Sequence, residues 1–189
     1  MVDSIRTFTG ISFTPLSPNK EDINITDIAH ALSLMTRANG HFPHFYSVAQ
    51  HCIACCNEAL ARNYSKRIAL ACLLHDAGEA YMSDVTRPLK KHLDFYTQAE
   101  DKLLEAIYTT FLEEPLTEEE RELVKLIDDT MLYYEFLHFM QCKLFECTDE
   151  LFSKPNFKFV EFSLVEDKFK KIFKELKNNE EELELEITL

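Results

Sequence analysis

Apolar residues recur at spacings of three and four along most of the chain, the period of amphipathic helices. Thr26 predicts a cap for a helix over about 27–38, with Ile28, Ala31, Leu32 and Met35 on one face and Asn39-Gly40 ending it. Ser47 and Gln50 form a capping box for a second helix over about 48–62, whose inward positions are Ala49, Cys52, Ile53, Cys56 and Leu60. A third helix is expected over about 66–81. Its stretch Ile68–Leu74 is apolar all round, the mark of a central buried helix. Residues 82–92, with Pro88, read as a loop. A fourth helix follows over about 94–113, turning Ala99, Leu103, Ile107 and Phe111 inward. Thr117 with Glu120 starts a long helix over about 118–143 that carries Val124, Ile127 and Met131. Ser163 with Glu166 is a third capping box, ahead of a last helix with Phe169, Ile172, Phe173 and Leu176 inward. Residues 1–25 read as an irregular or short-strand lead-in, and 147–162 carry no clear period.

Composition agrees with this all-α reading. Three Gly and six Pro are too few for a barrel or sandwich with many tight turns, while 46% hydrophobic residues and fifteen Phe suffice for a core. The length suits one domain, taken as residues 1–178, with its motifs concentrated in 28–135 and an acidic tail over 179–189. Leu183, Leu185, Ile187 and Leu189 alternate in that tail, so it is expected to be disordered or a short edge strand. The formal net charge of −13 argues against a nucleic-acid partner, since such a surface repels a phosphate backbone. It leaves room for a small phosphorylated ligand where basic residues cluster. No apolar run is long enough to span a membrane, so no membrane partner is expected. Of the six Cys, Cys52 and Cys55 form a CxxC, but no second pair completes a zinc site. They sit at helical core spacing and read as small apolar residues of a reducing, cytoplasmic compartment.

The chemistry is suggested by ionisable groups at core-facing positions. His75 and Asp76 directly follow the apolar run, and Glu79 lies one turn on, so all three gather at one end of that helix. His51 sits among apolar neighbours in the first full turn of the second helix. Asp128 shares a stripe with Val124, Ile127, Met131 and Glu135, whereas Asp129 shares one with Glu122, Lys125 and Tyr133. Asp128 is therefore expected to face the core and Asp129 solvent. Taken singly, each residue has an ordinary structural reading. Together, buried carboxylates and imidazoles need a compensating cation, and imidazole nitrogen with carboxylate oxygen suits a divalent Mn, Fe, Co, Ni or Zn ion. Arg87, Lys90 and Lys91 form a local basic cluster fit for phosphate, or simply a solvated loop. His30 and His138 are expected to be structural, and His41 and His44 to lie in a loop or line the pocket. No P-loop, GxGxxG or GxSxG occurs.

The order His51, His75-Asp76, Asp128 resembles the HD-domain metal-dependent phosphohydrolases, in particular their 5′-deoxynucleotidase-like branch. The segments that carry the likeness are Ile28-Ala-His-Ala-Leu-Ser33, Arg37-Ala-Asn-Gly-His41, Phe45-Tyr-Ser-Val-Ala-Gln-His51, Leu73-Leu-His-Asp-Ala-Gly-Glu79, Asp84-Val-Thr-Arg-Pro-Leu-Lys90 and Val124-Lys-Leu-Ile-Asp128 with Glu135. The resemblance implies an HD-domain helical bundle and metal ligands at His51, His75, Asp76 and Asp128. It makes Glu79 an acid/base residue and places Asp84 near the attacking water. It brings Arg37 to the substrate phosphate, with Arg87 and Lys90 in a loop closing over the site. Gln50, Ser83 and Gly78 depart from the usual residues at their positions, and none of them is a ligand. One divalent ion is expected, since His92 alone among further histidines falls between the HD pair and Asp128. The implied reaction removes phosphate from a nucleotide, a deoxynucleoside 5′-monophosphate. A phosphodiesterase, a triphosphohydrolase and a non-catalytic nucleotide-binding module are its rivals. The family also admits a homodimer, for which the many Phe would supply an interface.

Overall fold

A computed structural model describes residues 3–147 and 149–178. The fold is helical, with one small antiparallel hairpin of β1 (Ile5–Arg6) and β2 (Ser12–Phe13), in which Ile5 pairs with Phe13. The helices are α1 (Ile25–Leu34), α2 (Val48–Ala61), α3 (Lys66–Leu74), α4 (Glu79–Met82), α5 (Arg87–Lys90), α6 (Asp94–Leu112), α7 (Glu118–Met140) and α8 (Phe162–Lys177). The expected acidic tail, 179–189, lies outside the described residues.

Helices α2 and α3 form the centre, packed against each other and flanked by α1, α6, α7 and α8. Every residue from Ile68 to Leu74 is buried, as its unbroken apolar run requires. Burying one such leucine is worth about 1.5–3 kcal/mol, enough to pin the end of α3 and the polar residues that follow it. The capping boxes at Ser47/Gln50 and Thr117/Glu120 form as expected.

Several element boundaries differ from the sequence expectation. Helix α1 is capped by Asn24, not Thr26: the Asn24 side chain accepts the Thr26 N–H at 2.8 Å, so the helix starts at Ile25. It stops at Leu34 rather than about 38, because the Met35 carbonyl accepts the Val48 N–H and Thr36 bridges Ser47. The third expected helix is interrupted after Leu74. Ala77 N–H bonds to the Leu74 carbonyl and Glu79 N–H to the Asp76 carbonyl, a tightening to three-residue steps before α4. Finally, Ser163 does not cap α8. The Glu161 carboxylate takes the Ser163 and Leu164 amides instead, so the helix begins at Phe162. The segment 82–92, expected as a loop, contains the turn α5 with Pro88 in its first positions.

The lead-in acts as a clasp. The Asp27 carboxylate accepts the Thr9 N–H at 2.6 Å and the Thr9 hydroxyl at 2.8 Å. Phe13 is fully buried and stacks on Tyr81 with ring centroids 3.9 Å apart, which holds α4 and hence Glu79 in place. His30 is structural, as expected. It stacks on Phe8 and its Nδ1 lies 3.0 Å from Glu166 Oε2. His138 packs against Phe157 and Phe139.

Candidate metal centre

Four elements converge on one point. Helix α2 brings His51, the tight turn after α3 brings His75 and Asp76, and α7 brings Asp128 and Glu135. The loop before α2 brings Arg37, whose N–H bonds to the Tyr46 carbonyl at 2.8 Å. That loop runs through left-handed backbone at Ala38 (φ 52°), Asn39 (φ 50°) and Gly40 (φ 77°), a costly path for Ala38 that turns the chain back sharply.

The donor atoms are close. His51 Nε2 lies 3.2 Å from His75 Nε2, 3.1 Å from Asp128 Oδ1 and 3.9 Å from Asp76 Oδ2. His75 Nε2 lies 3.4 Å from Asp76 Oδ1 and 3.7 Å from Asp128 Oδ1. Donors sharing a first-row ion at bonds of about 2.1 Å stand about 3.0–3.4 Å apart, which the three shorter separations match, while those of 3.7 and 3.9 Å are wider.

The far side of each imidazole is fixed. His51 Nδ1 donates to Glu135 Oε1 at 2.7 Å, and His75 Nδ1 donates to the Cys72 carbonyl at 2.7 Å. In their neutral form both rings therefore present an Nε2 lone pair to the same point. Two lone pairs at 3.2 Å repel each other unless a cation lies between them. The acid–base balance tells the same story. Burial and the Arg37 charge act to lower the pKa of His51, yet Glu135 and Asp128 outweigh them and raise it. For His75, burial is opposed by Asp76, Cys52 and Asp128, and the pKa rises well above the ordinary value. Burial disfavours the Asp128 carboxylate, but hydrogen bonds from His51 and His75 pull its pKa well down. Asp76 is likewise lowered against burial by His75, Arg37 and His51. The cluster attracts positive charge, which a proton or a metal ion can supply.

Arg37 meets this cluster directly. Its guanidinium approaches His51 Nε2 at 3.0 Å, Asp76 Oδ2 at 3.3 Å, Glu135 Oε2 at 3.4 Å and Asp128 Oδ1 at 3.6 Å. Burial would weaken its charge, but Glu135, Asp76 and Asp128 keep it firmly protonated.

Glu79 stands at the edge of the cluster. It is 5% exposed, and its Oε2 has no hydrogen-bond partner among the described residues. Burial, then the neighbouring Asp76 and Asp84 charges, raise its pKa well above the usual carboxylate value despite Arg37 and Lys90. Burial also raises Asp84. A cavity of about 100 Å³ opens beside Glu79, and its lining includes His75, Asp76, Gly78, Lys90 and Glu100 but not Asp84.

The basic residues have specific partners. Arg87 grips Asp128 Oδ2 and Asp129 Oδ1, each at 2.5 Å, so it braces α7 rather than reaching into solvent. Lys90 Nζ donates to Glu100 Oε1 at 2.7 Å and lies 5.7 Å from the Tyr96 ring centroid, on the cavity wall. Asp129 turns outward to Arg87 and Lys125. His92 and His41 are exposed, and His44 donates to the Phe157 carbonyl at 3.0 Å. No role for Glu135 follows from the sequence, yet its two oxygens tie His51 to Arg37. The signal was its place on the Asp128 stripe. Equally unforeseen is the approach of the CxxC thiols to the imidazoles, with Cys55 Sγ 3.5 Å from His51 Nε2.

Comparison with known proteins places the chain. A family model described as "HD domain" matches residues 34–185. The "Uncharacterized protein YfdR" of Escherichia coli (strain K12) is 43% identical over 99 residues, 52% of this chain and 53% of that protein. The "Uncharacterized protein RCAP_rcc00048" of Rhodobacter capsulatus is 36% identical over 112 residues, 56% of this chain and 57% of that protein. The chain thus spans somewhat over half the length of the curated relatives it matches, and neither name assigns an activity.

Proposed function

Since the chain belongs to the HD-domain family, we propose that it is a metal-dependent phosphohydrolase that releases phosphate from a nucleotide, with a deoxynucleoside 5′-monophosphate as substrate. The observation that carries this reading is the convergence of His51 Nε2, His75 Nε2 and the Asp76 and Asp128 carboxylates, with the Arg37 guanidinium against them. The nucleotide and its sugar rest on the ordered motifs from Ile28 to Glu135.

His51, His75, Asp76 and Asp128 would hold one divalent ion. When bound, such an ion supplies a water of lowered pKa and polarises a phosphoryl oxygen. Among the chain's own residues, Arg37 offers a planar fork of donors that grips a phosphate and offsets its charge. Glu135 keeps Arg37 and His51 in register. Glu79, whose pKa burial and two neighbouring carboxylates raise, is set to pass a proton to the leaving oxygen. Asp84, less perturbed, is placed to accept one from the attacking water. Lys90 and Glu100 form the wall that the sugar and base would meet. Arg87 steadies Asp128 from outside.

The test is phosphate release from a panel of nucleoside mono-, cyclic and triphosphates with Mn or Co added. Free phosphate from 5′-monophosphates alone supports the reading. Pyrophosphate or tripolyphosphate would make the protein a triphosphohydrolase, and ring opening without free phosphate a phosphodiesterase. No product with metal-loaded protein would leave a nucleotide-binding module.

A further inference from the structure

Four cysteines are buried near the centre of the fold, and two of them, Cys52 and Cys55, face donor atoms rather than apolar neighbours alone. His51 and Cys55 stand four residues apart on α2, so their side chains share one face of the helix. Cys55 Sγ lies 3.5 Å from His51 Nε2, the nitrogen that the Glu135 hydrogen bond leaves unprotonated and that Arg37 also approaches, at 3.0 Å. Donor atoms of His51, Cys55 and His75 all fall within 4.8 Å of one another. Two imidazoles and a thiol at this spacing form a softer donor set than the histidines and carboxylates alone, and sulfur is the donor that thiophilic ions select. A metal–sulfur bond of about 2.3 Å beside a metal–nitrogen bond of about 2.0 Å sets the two donors about 3.5 Å apart at a tetrahedral angle, which the Cys55–His51 contact matches.

We propose that Cys55 is a ligand of this centre for thiophilic ions, binding zinc, cobalt or cadmium together with His51 and His75 and giving the site a preference for them over magnesium and manganese. The thiol proton passes to solvent as the sulfur–metal bond forms. Cys56 and Cys72 remain core residues, and Cys52 lies on the flank where His75 and Asp76 are its neighbours. The proposal rests on the reading of His51 and His75 as metal-facing.

The experiment loads metal-free protein with cobalt and records both the ions bound per chain and the near-ultraviolet thiolate-to-cobalt charge-transfer band. The wild type should show the band, Cys55→Ser should lose it, and Cys52→Ser and Cys142→Ser should keep it. Cys55→Ser should also narrow the preference for zinc over manganese by at least the about 10–100-fold that losing a supporting residue costs a metal site. In zinc-loaded wild type, X-ray absorption should resolve a sulfur neighbour at about 2.3 Å, which does not depend on any variant folding. Stoichiometric cobalt without the band or the sulfur neighbour overturns the role of Cys55 and leaves the histidine and carboxylate centre standing. A band lost in Cys52→Ser and kept in Cys55→Ser moves the ligand to Cys52 and overturns the assignment. Failure to bind any cobalt overturns both this proposal and the reading beneath it.

Discussion

Single side chains at this centre do separable work. Glu79 borders the cavity without being needed to hold an ion, so Glu79→Gln should keep the metal and nucleotide binding while kcat falls about two to four orders of magnitude. Metal content alongside steady-state kinetics checks this, and metal loss in the variant would make Glu79 a ligand instead. Glu135→Gln removes the negative charge that backs the His51 Nδ1–H and weakens the hold on Arg37. It should cost about 10–100-fold in metal affinity, read by titration of metal-free protein. Protons and the ion compete for the same imidazoles. The raised pKa values of His51 and His75 mean that metal affinity should fall as pH is lowered through a range above the ordinary histidine value, rather than below it. Affinity measured against pH tests the sign. Asp128 was legible as the inward carboxylate because of its apolar stripe. The partners of Arg87 were not, because they come from α7, 41 and 42 residues further along the chain, and no local pattern encodes that distance.

At the scale of elements, the sequence revealed helices wherever a cap and an apolar stripe agreed, as in α2 and α7. It failed where a tertiary contact claimed a backbone group. The end of α1 is set by the Met35–Val48 pairing, and the start of α8 by a carboxylate one residue outside the helix. The break after α3 was hidden because Ala77 and Gly78 interrupt no apolar period, yet this break aims His75 and Asp76. Gly78 itself is not required by its backbone. A Cβ there would meet Leu103 at an ordinary 3.8 Å, and its φ is −61°. Gly78→Ala should therefore stabilise the fold by about 0.5–1 kcal/mol in urea melts, by restricting the unfolded chain. The segment after α7 is held differently. The fully buried Glu58 carboxylate accepts the Phe152 and Ser153 amides and the Arg62 Nε. Burial opposes its ionisation, but the bonds from Ser153, Arg62 and Phe152 prevail and depress its pKa. Its contribution is thus full above the unfolded value of about 4.3 and is lost as pH falls through the lower folded value. Glu58→Gln should cost about 1–3 kcal/mol at neutral pH, and the deficit should shrink in acid. Urea melts across pH would show it, and a constant deficit would contradict the assignment.

In the whole molecule, the central α2–α3 pair carries the core and positions His51, His75 and Asp76, three of the residues proposed to hold the ion, so fold and ion should be coupled. At an ion concentration about 100 times Kd, binding adds about 2.7 kcal/mol of stability. For a chain of this length, chelation should lower Tm by about 5–11 °C. The all-α architecture was readable from helical period and scarce Gly and Pro. The convergence of four segments was only implied by motif order, since periodicity says which face is buried but not what lies opposite. Among the described residues, no helix is long and apolar enough to cross a membrane. The most direct test of the central claim is elemental analysis of purified wild type, Asp128→Ala and Asp129→Ala, each shown to be folded by circular dichroism. Neighbouring carboxylates on one helix differ only in direction, Asp128 toward His51 and His75 and Asp129 toward Arg87 and Lys125. The account predicts one ion per chain in wild type and in Asp129→Ala, and loss of that ion with phosphate release in Asp128→Ala. A folded Asp128→Ala that keeps its ion, or an Asp129→Ala that loses it, would contradict it.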